Sequence, residues 1–206
     1  MTTMDSNCID WFKGTDDAKR KTINNAMTLD FSVLCLNVRG DGNLGNMIRT
    51  ACLYGCKNFY LAGRKKWDKR YSVGAHHYMD VEFVDGVYDV TIDTHHELEC
   101  ECGSCKKVDN EVLLRFIIQN NFTPCFVEQG GTCILEPTWK KTIENPLFIY
   151  GNETSGVPIE TIRYIRNRLP STQLLSIPQM GIMRSHNVAT TMTIVLWEYA
   201  RDKMMM

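Results

Sequence analysis

The sequence predicts an α/β fold: a mostly parallel sheet with helices on both faces. Short apolar runs that end in turn residues alternate with helix-compatible stretches, which is the pattern of successive βα units. In addition, three segments share one design of strand, polar glycine turn and helix. They are NLGNMIRTACLYG (Asn43 to Gly55), FIYGNETSGVPIE (Phe148 to Glu160) and LLSIPQMGIMRSHNVATTMTIVLWEYAR (Leu174 to Arg201). Small polar side chains between a strand end and a helix start mark a ligand site more often than a packing solution. Three such junctions can converge at one carboxyl edge of a sheet.

The elements follow in order. Residues 15–27 are polar and helix-compatible, with Asp16 and Asp17 at the start and Lys19, Arg20 and Lys21 in the middle, so residues 1–30 read as an N-terminal extension and 31–206 as one domain. FSVLCLNV, from Phe31 to Val38, is a buried parallel strand. A helix after Gly45 places Ile48, Ala51, Cys52 and Gly55 on one side and leaves Arg49 beside that stripe. NFYLAG, VEFVDGV, FTPCFVEQG and PLFIYG read as further strands, with a helix from about Val108 to Asn120. In the last helix Val188, Met192, Val195 and Tyr199 recur at intervals of four, three and four, a stripe that must bury against something, either its own sheet or a second subunit.

The 206 residues suffice for one substantial core, and no Pro/Ser/Gly-rich linker divides them. No window approaches the run of about eighteen apolar residues that a membrane helix needs. Met1 to Asp30 carries Asp5, Asp10, Asp16 and Asp17 and lacks a signal-peptide core, so a cytoplasmic protein is expected. Nine cysteines at unrelated spacings fit a reducing compartment. A net charge of −1 gives no global attraction to nucleic acid, so any such attraction is local. Two basic clusters qualify: Arg64, Lys65, Lys66, Lys69 and Arg70, interleaved with Trp67 and Tyr71, and Arg163, Arg166 and Arg168 before Pro170. Either is also readable as a solvated face.

Gly40, Gly42 and Gly45 spell G-x-G-x-x-G between a strand and a helix, the context of a dinucleotide-binding fingerprint. The acidic residue expected near the end of the next strand is absent, and Arg64 stands there, which suits a ribose phosphate. GNETSG has P-loop glycine spacing, but Val157 and Pro158 follow where Lys and Ser/Thr are required, which argues against nucleotide triphosphate hydrolysis. HHELECECGSCKK brings His95, His96, Cys100, Cys102 and Cys105 within eleven residues. That set is able to fill a tetrahedral zinc shell, but it lacks the paired C-x-x-C spacing of common zinc modules, and a polar loop with reduced thiols is the alternative.

Together the three junctions resemble the TrmH/SpoU branch of the SPOUT-class RNA 2′-O-ribose methyltransferases. Asn43 and Arg49 match that family's Asn-x-x-x-x-x-Arg motif. Gly151, Glu153 and Gly156 match G-x-E-x-x-G, and Ile177, Pro178, Gly181, Ser185, Asn187 and Val188 match I-P-M-x-G-x-x-x-S-L-N-V-S. The order is preserved from about Phe31 to Arg201. Gln179, His186 and Ala189 depart from the third motif, where Met, Leu and Ser are usual.

The resemblance implies a C-terminal trefoil knot that holds S-adenosylmethionine, and a homodimer whose active site takes the first-motif arginine from the partner chain. It assigns catalysis and positioning to Arg49, Asn43, Ser185, Asn187 and Glu153, with Glu153 anchoring the second-motif loop through backbone N–H bonds. It assigns cofactor contacts to Gly151, Ile177, Gly181, His186 and Asn187. The expected reaction is methyl transfer to a ribose 2′-hydroxyl of structured RNA, either tRNA or rRNA, with the Arg64 to Arg70 cluster on the RNA track and with no DNA or membrane partner and no required metal. Without the resemblance, Ser185 and Asn187 read as helix N-caps and Arg49 as a surface charge. Two other functions remain open at this point: an RNA-binding module that keeps the knot without turnover, and an NADP-binding oxidoreductase built on Gly40, Gly42 and Gly45.

Overall fold

A computed structural model describes residues 13–89 and 108–204. Its centre is a six-stranded sheet of β1 (Ser32–Leu36), β2 (Asn58–Ala62), β3 (Val81–Phe83), β4 (Thr123–Cys133), β5 (Pro146–Tyr150) and β6 (Gln173–Ser176). The strand order is β3-β2-β1-β5-β4-β6, and every pairing is parallel. The expected α/β architecture is therefore present.

A strand buried on both faces sends alternate side chains into two cores. Val33, Cys35, Phe59, Leu61, Phe148 and Tyr150 enter one core, which is closed by α2 (Asp41–Leu53), α5 (Thr138–Lys141) and α7 (Val188–Met204). Leu34, Leu36, Tyr60, Leu147 and Ile149 enter the other, closed by α4 (Asn110–Gln119) and α6 (Ile159–Arg168). On α7 the stripe is as expected, with Met192, Val195 and Tyr199 buried against the first core. The N-terminal helix α1 (Asp17–Ala26) is capped by Asp16, whose side chain accepts from the Lys19 N–H at 2.7 Å. It is tied to the domain where Asn24 donates to the Tyr78 carbonyl at 3.1 Å and Lys21 pairs with Asp80.

Two local expectations are corrected. The helix placed after Gly45 begins at Asp41, so Gly42 and Gly45 are helical residues and not a glycine turn. Their role is close approach. A Cβ on Gly45 would lie 2.5 Å from Tyr71 Cβ and 3.1 Å from the Asp68 carbonyl oxygen, on the short helix α3 (Lys69–Ser72) and the residue that caps it. The second correction concerns FTPCFVEQG, which continues as a strand to Cys133. A bulge between Val127 and Thr132 lets β4 pair β5 first and β6 throughout.

Chain path fixes where a ligand can enter. From β1 the chain runs to one side, to β2 and β3, whereas β5 leads across β4 to β6 on the other. In open parallel sheets such a reversal leaves a crevice at the carboxyl ends of the strands.

Candidate active site

The bulge of β4, the carboxyl ends of β5 and β6 and the start of α7 enclose a cavity of about 400 Å³, within the usual range for small-molecule sites. Its wall includes Glu128, Gly151, Glu153, Ser176, Ile177, Ser185, His186 and Asn187. Glycine at 151 is a steric necessity, since a Cβ there would stand 1.9 Å from the Gly156 carbonyl carbon. The loop between these glycines is an Asx turn: the Asn152 side chain accepts the N–H groups of Thr154 at 2.9 Å and Ser155 at 2.8 Å. From β4, Glu128 accepts the Val157 N–H at 3.1 Å and braces the same loop.

A chain of side-chain hydrogen bonds joins the three glycine junctions. Asn187 accepts the N–H groups of Ala189 at 2.9 Å and Thr190 at 3.3 Å through Oδ1, which caps α7. Its Nδ2 donates to Asn43 Oδ1 at 3.0 Å, and Asn43 Nδ2 donates to Glu153 Oε1 at 2.7 Å. Glu153 also accepts the N–H groups of Gly40 at 2.9 Å and Arg39 at 3.0 Å. Partial burial pushes the Glu153 pKa up, but the Arg39 N–H, the Asn43 amide and the Gly40 N–H outweigh it and hold the carboxyl below its ordinary value.

Glu153 was expected to anchor its own loop. Its partners Arg39, Gly40 and Asn43 instead belong to the turn before α2 and that helix's first residues, so it clamps the first junction to the second. This geometry counts against the dinucleotide-binding reading, because the Arg39 and Gly40 amides in the turn before α2 already donate to an internal carboxylate. Asn152 and Glu128, which hold the second loop in shape, were missed. The Asx-turn spacing of Asn152 was a local signal for one of them, while Glu128 is brought in from a different strand.

Of the five residues expected at the cofactor, Gly151, Ile177, His186 and Asn187 line the cavity. Gly181 stands outside its wall, in an open loop where a Cβ would meet nothing within 4 Å. Ser185 also lines the cavity. Arg49 does not. It is six residues beyond Asn43 on α2, about 9 Å along the axis, and lines a second, largely apolar cavity of about 570 Å³ with Arg20, Asn24, Cys52, Tyr54 and Lys203.

The Arg64 to Arg70 cluster is present on the surface, but three of its cations have carboxylate partners. Arg64 pairs with Asp41, Lys65 with Asp85, and Arg70 with Asp68 at 2.6 Å. His96, Cys100, Cys102 and Cys105 lie outside the described residues, among which no group of three or more His, Cys, Asp or Glu side chains is placed to hold a metal. No described helix is long and apolar enough to cross a membrane.

A family model for SpoU rRNA methylases matches residues 30–197. Among solved structures, the A. aeolicus TrmH/SpoU tRNA modifying enzyme aligns with a TM-score of 0.66 and 19% identity over 92% of this chain and 85% of its own. The SpoU methyltransferase AviRb from Streptomyces viridochromogenes, in complex with AdoMet, aligns with a TM-score of 0.59 and 18% identity over 86% of this chain. The chain spans 58% of that AviRb chain. The mouse (Mus musculus) tRNA (guanosine(18)-2'-O)-methyltransferase TARBP1 is 34% identical over 62 residues, which are 30% of this chain and 4% of that protein.

Proposed function

The chain belongs to the SpoU rRNA methylase family, and from this premise we propose that it transfers a methyl group from S-adenosylmethionine to a ribose 2′-hydroxyl of structured RNA, a tRNA or an rRNA. The observation that carries the reading is the bond chain Asn187–Asn43–Glu153, which ties the first family motif to the second and third, whose residues wall one cavity. AviRb was crystallised with AdoMet, and TARBP1 is a tRNA 2′-O-methyltransferase; both agree with this choice of donor and acceptor.

The cavity suits such a donor in size and in chemistry. Ile177 and Val188 offer apolar surface, and the tightly turned backbone of Gly151 to Gly156 offers peptide groups. Bound there, S-adenosylmethionine would supply a methyl group already activated by its sulfonium, so the chain's own task is to hold the hydroxyl in line and help it lose a proton. Asn187 and Asn43 each spend one amide proton within the bond chain, and each NH2 carries a second that can reach a ribose or a cofactor oxygen. Ser185, on the wall, adds a hydroxyl that can donate or accept.

A guanidinium is permanently protonated and unsuited as a base. Arg49 therefore grips the phosphate next to the target ribose bidentately and favours the developing alkoxide, while the phosphate or a water takes the proton. Within one chain Arg49 opens into the second cavity, so we place it in the active site of a second copy. Leu53 on α2, Trp197 on α7 and Met27 after α1 are 68%, 51% and 63% exposed around that face, which supports a homodimer formed there. A knot is part of the same proposal. It is supported by the path of the chain, which leaves β6 at the sheet edge and returns to pack α7 against the core behind β1 and β5. The five described cysteines are all free, in keeping with a cytoplasmic setting.

The test has two arms. Calorimetry with S-adenosylhomocysteine should show binding, and tritiated methyl transfer to bulk RNA should leave label in alkali-resistant dinucleotides, because a methylated 2′-oxygen cannot attack the adjacent phosphate. Binding without transfer would mean an RNA-binding module, and heat with NADPH in place of S-adenosylhomocysteine would mean an oxidoreductase.

A further inference from the structure

Resting on the RNA substrate proposed above, we propose that the outer face of α4 and α6 is a phosphate-binding track that carries the RNA away from the cavity. The two helices present Arg115, Arg163, Arg166 and Arg168, all exposed, against only Glu111 and Glu160. Among the described residues none of the four arginines has a carboxylate partner, whereas Arg64, Lys65 and Arg70 of the other basic cluster each do. A phosphate that reaches Arg64, Lys65 or Arg70 must displace a carboxylate. On α6 it meets guanidinium groups with no such competitor among the described residues.

Position points the same way. α6 starts three residues after Gly156, on the wall of the cavity, and Pro158 is its N-cap. At 1.5 Å per residue, Arg163, Arg166 and Arg168 stand about 6, 10 and 13 Å along the helix from that rim. Arg168 is also pre-organised: its guanidinium carbon lies 3.5 Å from the Tyr164 ring centroid, and Nη1 donates to the Tyr164 carbonyl at 3.3 Å. The Tyr164 hydroxyl in turn donates to Glu111, which steadies the ring under the cation. Every cation on the face is an arginine, whose planar fork matches phosphate oxygens two at a time.

The experiment is a fluorescence-anisotropy titration of labelled bulk tRNA between 50 and 200 mM KCl. It compares wild type, Arg163→Ala/Arg166→Ala and Lys65→Ala/Lys66→Ala, with S-adenosylhomocysteine calorimetry on each. Loss of two phosphate contacts should weaken binding by Arg163→Ala/Arg166→Ala about tenfold or more and flatten the slope of log K against log[salt] by about 2, with cofactor heat unchanged. Arg168→Lys keeps the charge but loses the stacked fork, and should bind more weakly than wild type. Wild-type affinity and slope in Arg163→Ala/Arg166→Ala would overturn the inference, the more so if Lys65→Ala/Lys66→Ala lost affinity instead. The two readings fail separately. Loss of cofactor heat in wild type with the salt effect intact would sink the methyltransferase reading, and cofactor heat with no salt effect would sink the track.

Discussion

Asn187 Nδ2 donates to Asn43 Oδ1 at 3.0 Å across 144 residues of chain, while Asn187 Oδ1 caps α7 through the Ala189 N–H at 2.9 Å. One side chain thus serves as a helix cap and as the link between two motifs. The duties separate in Asn187→Asp. A carboxylate still accepts the cap bonds and is favoured at a helix N-terminus, so melting should stay within a few degrees of wild type. It cannot donate to Asn43, and it sets two acceptors face to face. Methyl transfer should fall by about tenfold or more, whereas Asn187→Ala should lose activity and about 1 kcal/mol of stability together. A stable, fully active Asn187→Asp would detach the Asn43 bond from function.

Glu153 clamps Arg39, Gly40 and Asn43, and its depressed pKa gives the clamp a pH dependence of definite sign. A carboxyl whose folded pKa lies below its unfolded value contributes stability above the unfolded value, near pH 4.3 for Glu at roughly model conditions, and loses it as pH falls through the folded value. Wild type should therefore melt above Glu153→Gln at pH 7, and the gap should close in acid as the carboxyl protonates and comes to resemble the amide. A gap that persisted unchanged to pH 3 would assign the stabilisation to something other than the charged clamp.

Two glycines of the motifs should respond oppositely to one methyl group. In Gly151→Ala the new Cβ meets the Gly156 carbonyl carbon at 1.9 Å, and this is backbone that cannot swing aside. Overpacking that neighbours can absorb costs about 1–3 kcal/mol; here the whole loop from Asn152 to Val157 must shift, and binding of S-adenosylhomocysteine should disappear. In Gly181→Ala the Cβ meets nothing within 4 Å, and both melting and binding should stay at wild-type values. Calorimetry on the two variants reads the contrast directly.

These relationships mark where the sequence is informative. The apolar runs, the second and third glycine junctions and the stripe on α7 are short-range patterns, and each is found where the sequence puts it. The start of α2 was not legible, since Gly42 and Gly45 look like breakers until Tyr71 is packed against them. Nor was the neutralisation of the Arg64 to Arg70 cluster, because Asp41 and Asp85 reach it through the folding of β2 and β3. Glu153 was recognisable as a brace, but its partners lie more than a hundred residues away. Sequence spacing reports what a local element presents; which distant group it meets is decided by the topology of the sheet.

Arg49 and Asn187 line different cavities in one chain, so a complete site in a dimer would combine one residue from each protomer. Arg49→Ala and Asn187→Ala should each be nearly inactive alone, since every site in either homodimer lacks one of the pair. Co-refolded in equal amounts, half of the dimers should be mixed. Each mixed dimer contains one site missing both groups and one site missing neither, so the pool should recover about a quarter of wild-type activity. Recovery of that size requires exchange of Arg49 between chains. If the mixture stays as inactive as its components while sedimentation shows that dimers have re-formed, Arg49 acts within its own chain or not at all, and the shared site is wrong.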